Sequence, residues 1–289
     1  MSQMGKLSGC CALVTGASRG FGALVAEMYW REGAHIVAVG RSIERLLELQ
    51  QALPAASRQN FLPLAVDLEG DSAPHDIIKA VEREFGRLDI LVNNAGIQGP
   101  IGSACNNDWL EWQKTIHIDL LVPVQLCRLA MPLLMKSGHG RIINLSGGGA
   151  TGPRSFFSAY ATAKAGLVRF SETLAEEVRD RGVTVNCIAP GAMPTDMLRA
   201  VRDAGAEKAG EKEYKAARKA LEAGEGIMER AAELAVYLAS DASAGLSGRL
   251  ISAQWDPWPQ LGAHIEALQK SDIYTLRRIV PRDRGFDWG

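Results

Sequence analysis

The sequence predicts an α/β fold: a doubly wound, parallel, seven-stranded sheet with helices on both faces, followed by a C-terminal extension. Three observations predict it. Short runs rich in Val, Ile and Leu alternate with longer segments of helical period from residue 10 to about 254. Most of these runs are apolar at consecutive positions, as strands covered on both faces must be. A glycine-rich stretch joins the first run to the first helix, where a backbone must turn sharply.

The runs read as strands are CALVTG (11–16), HIVAVG (35–40), NFLPLAV (60–66), LDILVNN (88–94), GRIINLS (140–146), TVNCIAP (184–190) and RLISAQW (249–255). Helical period fills 20–32, 42–53, 72–86, 107–136, 156–181 and 228–240. Two stretches depart from the rhythm. Residues 199–225 are rich in Ala, Glu and Lys and broken by Gly205, Gly210 and Gly224, so they read as short solvated helices with hinges. Whether they form a plain exposed excursion or a cover over a site is open at this level, and 196–226 is the candidate substrate-side lid. The tail from Pro257 holds Trp258, Phe286, Trp288, Arg277, Arg278, Arg282 and Arg284, a composition suited to docking against another surface rather than to disorder. The expected organisation is a dinucleotide-binding catalytic domain, 1–256, and an extension, 257–289.

A net charge of -1 and the absence of any basic tract argue against a nucleic-acid partner. The five cysteines (10, 11, 105, 127 and 187) form no CxxC pair and no metal-ligand spacing, so free thiols in a reducing compartment are expected and no metal. The start, MSQMGKLSG, lacks the apolar core of a secretory signal, and no 18 uncharged apolar residues run together, so a soluble, cytoplasmic protein with no membrane partner is expected.

LVTGASRGFG places Gly16, Gly20 and Gly22 between the first strand and the first helix, where free N–H groups and the positive helix end meet a pyrophosphate. Further on, Tyr160 and Lys164 stand four residues apart on one helix face. A neighbouring ammonium favours a phenolate, so the pair is expected to have a lowered tyrosine pKa and to trade a proton with a carbonyl or alcohol oxygen.

The TGxxxGxG spacing resembles that of the classical short-chain dehydrogenase/reductase family. Four other marks follow in order: NNAG (93–96), YxxxK (160–164), PGAMPT (190–195) against PGxxxT, and a closing helix and strand at 233–251. The resemblance spans about residues 7–254. It implies a Rossmann-type fold, a nicotinamide dinucleotide, a small-molecule carbonyl or alcohol substrate and a homo-oligomer, dimer or tetramer. It also implies cofactor contacts from Gly16, Ser18, Arg19, Gly20, Phe21 and Gly22 at the phosphates. Asp67 and Leu68 would meet the adenine, Asn94, Ala95 and Gly96 the ribose, and Pro190, Gly191 and Thr195 the nicotinamide, with Tyr160 and Lys164 beside it. After the second strand the chain reads VGRS, with Arg41 and no acid, so NADP(H) is preferred to NAD(H), which remains possible.

Two positions depart from the family. Its serine most often stands thirteen residues before the tyrosine, where this chain has Gly147; Ser146 precedes it. Either the glycine-rich loop carries an extra residue and presents Ser146, the favoured account, or the serine is lost. Ser155 and Ser158 read instead as starting and lining the helix of Tyr160. The family's asparagine is here Asp119, a carboxylate expected to pair with Lys164 and raise its pKa or to take up a proton itself. The expected function is ketone reduction or secondary-alcohol oxidation by hydride transfer, with Tyr160, Lys164, Ser146 and Asp119 as the catalytic set. The rival is a weakly active or inactive nucleotide-binding sensor or assembly partner of the same fold. A third reading places an anionic or sugar-like substrate against Arg154 or the tail arginines.

Overall fold

The computed structural model describes residues 5–55, 59–222 and 226–288. Its seven strands are β1 (Cys11–Thr15), β2 (His35–Gly40), β3 (Phe61–Ala65), β4 (Ile90–Asn93), β5 (Gly140–Leu145), β6 (Val183–Ala189) and β7 (Arg249–Ser252). They form one parallel sheet in the order β3-β2-β1-β4-β5-β6-β7. Each strand matches a run read from the sequence, with β6 beginning one residue early at Val183; the β2 run coincides with its strand, and the others continue past theirs. The surplus residues, Gly16, Asn94, Ser146 and Pro190 among them, leave the ladder at its carboxyl edge. In doubly wound sheets that edge carries the ligand, at the point where strand order reverses, here between β1 and β4.

Helix α1 (Gly20–Arg31) and α9 (Gly226–Ala239) cover one face, with α2 (Ile43–Ala52) beside them. Helices α3 (Ala73–Phe85), α5 (Val122–Ser137) and α6 (Ser158–Glu177) cover the other. Alternate residues of one strand feed the two cores: Ala12 and Val14 join the first, Cys11 and Leu13 the second. The continuous apolar runs are thereby explained.

The helical stretch 107–136 is divided. Helix α4 (Trp109–Ile116) passes through a five-residue π-helical turn, His117–Leu121, into α5. Pro123 has no N–H to give the Asp119 carbonyl, so a regular α-helical bond is impossible there, and the backbone N–H of Val122 reaches back to the His117 carbonyl instead. The run Trp109–Ser137 is long and apolar enough to cross a bilayer by length and composition, yet half of its most apolar window is buried inside this fold.

The excursion forms α7 (Asp196–Ala209) and α8 (Glu211–Glu222), with a break in helical backbone at Gly205 and a turn at Gly210, both at positive φ. Gly224, the third expected hinge, lies outside the described residues. Val201, Ala209 and Ala217 close a small core with Phe157.

The tail docks on its own domain, largely through Arg249. This guanidinium donates to the carbonyls of Ser271 (3.0 Å), Ile273 (2.8 Å) and Leu268, and the Leu250 N–H donates to the Tyr274 carbonyl (2.8 Å). Trp258 is buried against Tyr237 and donates to the Ala253 carbonyl. Phe286 and Trp288 pack on each other but stay exposed.

Arg249→Met leaves three carbonyls without a charged donor, at a cost of about 1–3 kcal/mol. Limited proteolysis should then cut between residues 265 and 280 well before the remaining domain, and a wild-type cleavage pattern would contradict this anchoring role.

Candidate active site

One cavity of about 1320 Å³ runs along the carboxyl edge of the sheet, lined at one end by Gly16–Gly22 and at the other by Tyr160 and Lys164. At the first end the glycines are fixed by packing. A side chain on Gly16, at φ +68°, would meet Asn94 Nδ2 at 2.8 Å, and one on Gly22 would strike the Gly16 carbonyl at 2.3 Å. Asn94 holds this corner: its Nδ2 donates to the Thr15 carbonyl (2.8 Å), and the N–H groups of Asn94 and Ala95 both donate to Thr15 Oγ1 (3.0 Å each). Helix α1 has neither a side-chain cap nor an acid in its first turn, so its positive end is left for an anion. Arg41 has no ion-pair partner among the described residues, whereas Arg19 is bound by Asp196 at the start of α7. Arg199 and Arg19 together hold the Asp196 carboxyl below its usual range. Gly40 leaves room for Ser18, which a Cβ there would meet at 2.8 Å.

Asp67 and Leu68 border the same cavity, with Asn94, Ala95 and Gly96, then Pro190, Gly191 and Thr195. The Phe21 ring is buried in the core under α1, so that residue presents mainly backbone to the cavity. All the residues read as cofactor contacts thus meet along one continuous wall. Glycines without Cβ atoms, an uncapped helix N-terminus and a free arginine fit a dinucleotide with its phosphates at α1.

At the other end, Lys164 Nζ donates to the Leu145 carbonyl (3.0 Å) and lies 3.5 Å from Asp119 Oδ2, with the two side chains 5% and 0% exposed. Asp119 Oδ1 accepts from the Ile97 N–H (2.8 Å). Burial raises the Asp119 carboxyl above its usual range despite Lys164. Burial alone would lower Lys164, but Asp119 and Tyr160 together outweigh it, so the amine is held as an ammonium. Its Nζ sits 5.5 Å from the Tyr160 ring centre.

Lys164 lowers the Tyr160 phenol, as the spacing implies, but the net direction is upward. Burial raises the Tyr160 phenol, and the Asp119 carboxylate adds to it, against the opposing pull of Lys164 and Arg154. The group is held as an acid.

The glycines of 147–149 also have structural causes. A Cβ on Gly147 would lie 2.2 Å from the Tyr160 hydroxyl, so the space for a serine at the family's usual spacing is occupied by the phenol itself. Gly149, at φ +98°, would strike Ala161 at 2.5 Å. Ser146 lines the cavity, and its Oγ is buried without a hydrogen-bond partner among the described residues. Of the two other serines, Ser158 opens α6 without capping it, since Phe157 occupies the cap position, and its Oγ accepts from Trp112 Nε1 (3.1 Å).

Residues 10–206 match the short chain dehydrogenase family. The chain is a short-chain dehydrogenase/reductase. It is 37% identical over 198 residues to the 3-oxoacyl-[acyl-carrier-protein] reductase FabG of Escherichia coli, covering 68% of this chain and 79% of that protein. With the short chain dehydrogenase pigC of Monascus ruber it shares 29% identity over 279 residues, 94% of this chain and 88% of the relative. Among solved structures, the L-sorbose reductase of Gluconobacter frateurii, complexed with NADPH and L-sorbose, superposes with a TM-score of 0.74 at 31% identity, covering 86% of this chain and 96% of that one. As a member of this family the chain is an NAD(P)-dependent oxidoreductase acting on CH–OH or C=O groups of small molecules.

Sequence reasoning missed Thr15 as the acceptor that binds the NNAG turn, Asp196 as the partner of Arg19, and Glu213 of α8, which binds Arg154 (2.8 Å). NNAG and PGAMPT mark the loops but not which charges face each other across the cavity.

A buried hydroxyl without a partner contributes no folding stability. Ser146→Ala should therefore leave the thermal midpoint unchanged or slightly raised. A fall corresponding to about 1 kcal/mol or more would mean that Ser146 is a structural residue.

Proposed function

We propose that this short-chain dehydrogenase/reductase is an NADP(H)-dependent carbonyl reductase that interconverts a ketone and a secondary alcohol in the cytoplasm. The observation that carries the proposal is the single cavity joining the α1 N-terminus and Arg41 to the buried Tyr160, Lys164 and Asp119. The bound nicotinamide supplies the hydride for reduction and takes it up in the reverse direction. Tyr160 gives its phenolic proton to the carbonyl oxygen, a role suited to a phenol that burial keeps protonated. Lys164, fixed by Asp119 and the Leu145 carbonyl, stabilises the phenolate left behind until it recovers a proton.

Ser146, with an unspent O–H, donates to the carbonyl oxygen and polarises it. Asp119 is a positioning residue, since it reaches the reaction only through Lys164. Gly16, Ser18, Gly20, Phe21 and Gly22 hold the phosphates; Asp67 and Leu68 the adenine; Asn94, Ala95 and Gly96 the ribose; Pro190, Gly191 and Thr195 the nicotinamide. Arg41 and Arg19 select the 2'-phosphate by charge, and Arg19 must exchange Asp196 for it. NADPH in the related sorbose reductase supports the preference. The segment 196–226 acts as the substrate-side lid; its described part lines the cavity through Met197, Leu198 and Ala216.

Fluorescence titration with NADPH and NADH, followed by turnover on a ketone panel, tests this reading. NADPH should bind at least tenfold more tightly, and Arg41→Ala should remove most of that difference. Tyr160→Phe should bind NADPH normally and lose turnover by 100-fold or more. Tight NADPH binding with no turnover on any ketone would instead favour a nucleotide-binding sensor.

A further inference from the structure

We propose that Arg154 is the specificity-determining residue of this site and that the substrate carries a carboxylate near its reacting carbonyl. This inference rests on the carbonyl-reductase reading above. Arg154 lines the reacting end of the cavity with its side chain 13% exposed, and its guanidinium carbon lies 5.7 Å from the Tyr160 ring centre. Its plane is fixed from one side by the fully buried Phe157 ring, 3.9 Å away, and from the end by Glu213 Oε2 on Nε. Nη1 and Nη2 have no acceptor among the described residues.

A guanidinium presents five N–H donors in a planar fork, of which Glu213 engages one edge at a single nitrogen. The remaining Nη pair suits the two oxygens of a second carboxylate, and the stacking on Phe157 orders the group before substrate arrives. The other cations along the cavity do not serve. Lys164 has no planar fork and is held by Asp119; Arg19 and Arg199 are half-exposed on Asp196, unlike the largely buried and stacked Arg154; Lys114 is held by Glu69, Arg41 stands at the cofactor end and Lys212 is exposed. Among the described residues, Arg154 is the cation beside Tyr160 other than Lys164, which Asp119 holds, so an anion bound to Arg154 lies near the phenol and hence near the reacting carbon.

Glu213 gives the assignment a distinctive signature. Its carboxylate offsets the Arg154 charge and opposes the charge of an incoming acid, so removing it should help an acid, whereas a purely structural ion pair would serve all substrates alike. The test measures kcat/KM with NADPH for 2-oxopentanoate and 4-oxopentanoate, each against its methyl ester. The wild-type protein should prefer the acid at one chain length at least, by tenfold or more. Arg154→Met should lower the acid-to-ester ratio about 10–100-fold, the range for losing a charged hydrogen-bond pair, and Glu213→Gln should raise it severalfold, through KM.

Ratios unmoved by either variant, or a wild-type preference for esters, would overturn the proposal. If esters are reduced in a Tyr160-dependent way without preference for acids, this inference falls and the carbonyl-reductase reading stands. If neither acids nor esters turn over, this inference falls, and the carbonyl-reductase reading falls with it only if the wider ketone panel is also inert.

Discussion

The chemistry of this site depends on one buried ion pair. Lys164 and Asp119 face each other at 3.5 Å with almost no solvent contact, a placement that costs both charges their hydration. It is tolerable only because other groups replace the water: the Leu145 carbonyl on the ammonium and the Ile97 N–H on the carboxylate. Each partner comes from the carboxyl edge of the sheet, just where β5 and β4 end. The strand ladder thus sets the positions of the groups that make the pair affordable, and the pair sets the electrostatics around Tyr160. Burial raises the phenol most, Lys164 draws it down and Asp119 pushes it up, so the net direction is upward.

The second constraint is space. Four glycines, at 16, 22, 147 and 149, stand where a side chain would strike Asn94, the Gly16 carbonyl, Tyr160 or Ala161. At the phosphate end the result is a tight loop that leaves the α1 N-terminus open. At the reacting end the phenol packs directly over backbone, which leaves no room for a side chain at 147, and Ser146 lines the cavity one residue earlier. The departure from the family's spacing and the close approach of Tyr160 are therefore one feature of the loop.

Much of this was legible in the sequence because it is local. TGASRGFG, NNAG, YATAK and PGAMPT each mark a loop or helix turn at a strand end, and the continuous apolar runs imply a sheet covered on both faces. The division of the long helix is not legible in this way, since Pro123 follows a π-helical turn while Pro132 sits inside α5 without a break. What could not be read depends on distance through space. The net direction at Tyr160 depends on desolvation, which exceeds the influence of Lys164 that the four-residue spacing makes visible. Arg19–Asp196 and Arg154–Glu213 join residues 177 and 59 apart, and no local pattern announces such pairs.

The central claim is that Tyr160 is held as a phenol by burial and by Asp119. Tyrosine labelled with carbon-13 at Cζ, with Tyr160→Phe to assign the resonance, reports its ionisation directly as pH is raised. Because Asp119 raises the phenol directly, removing its charge should lower it provided that Lys164 stays an ammonium, which Tyr160 also favours. Tyr160 should ionise above the ordinary tyrosine value of about 10, and Asp119→Asn should move that ionisation to lower pH. A phenol that titrates below the ordinary value in the wild-type protein, or one indifferent to Asp119→Asn, would contradict the account.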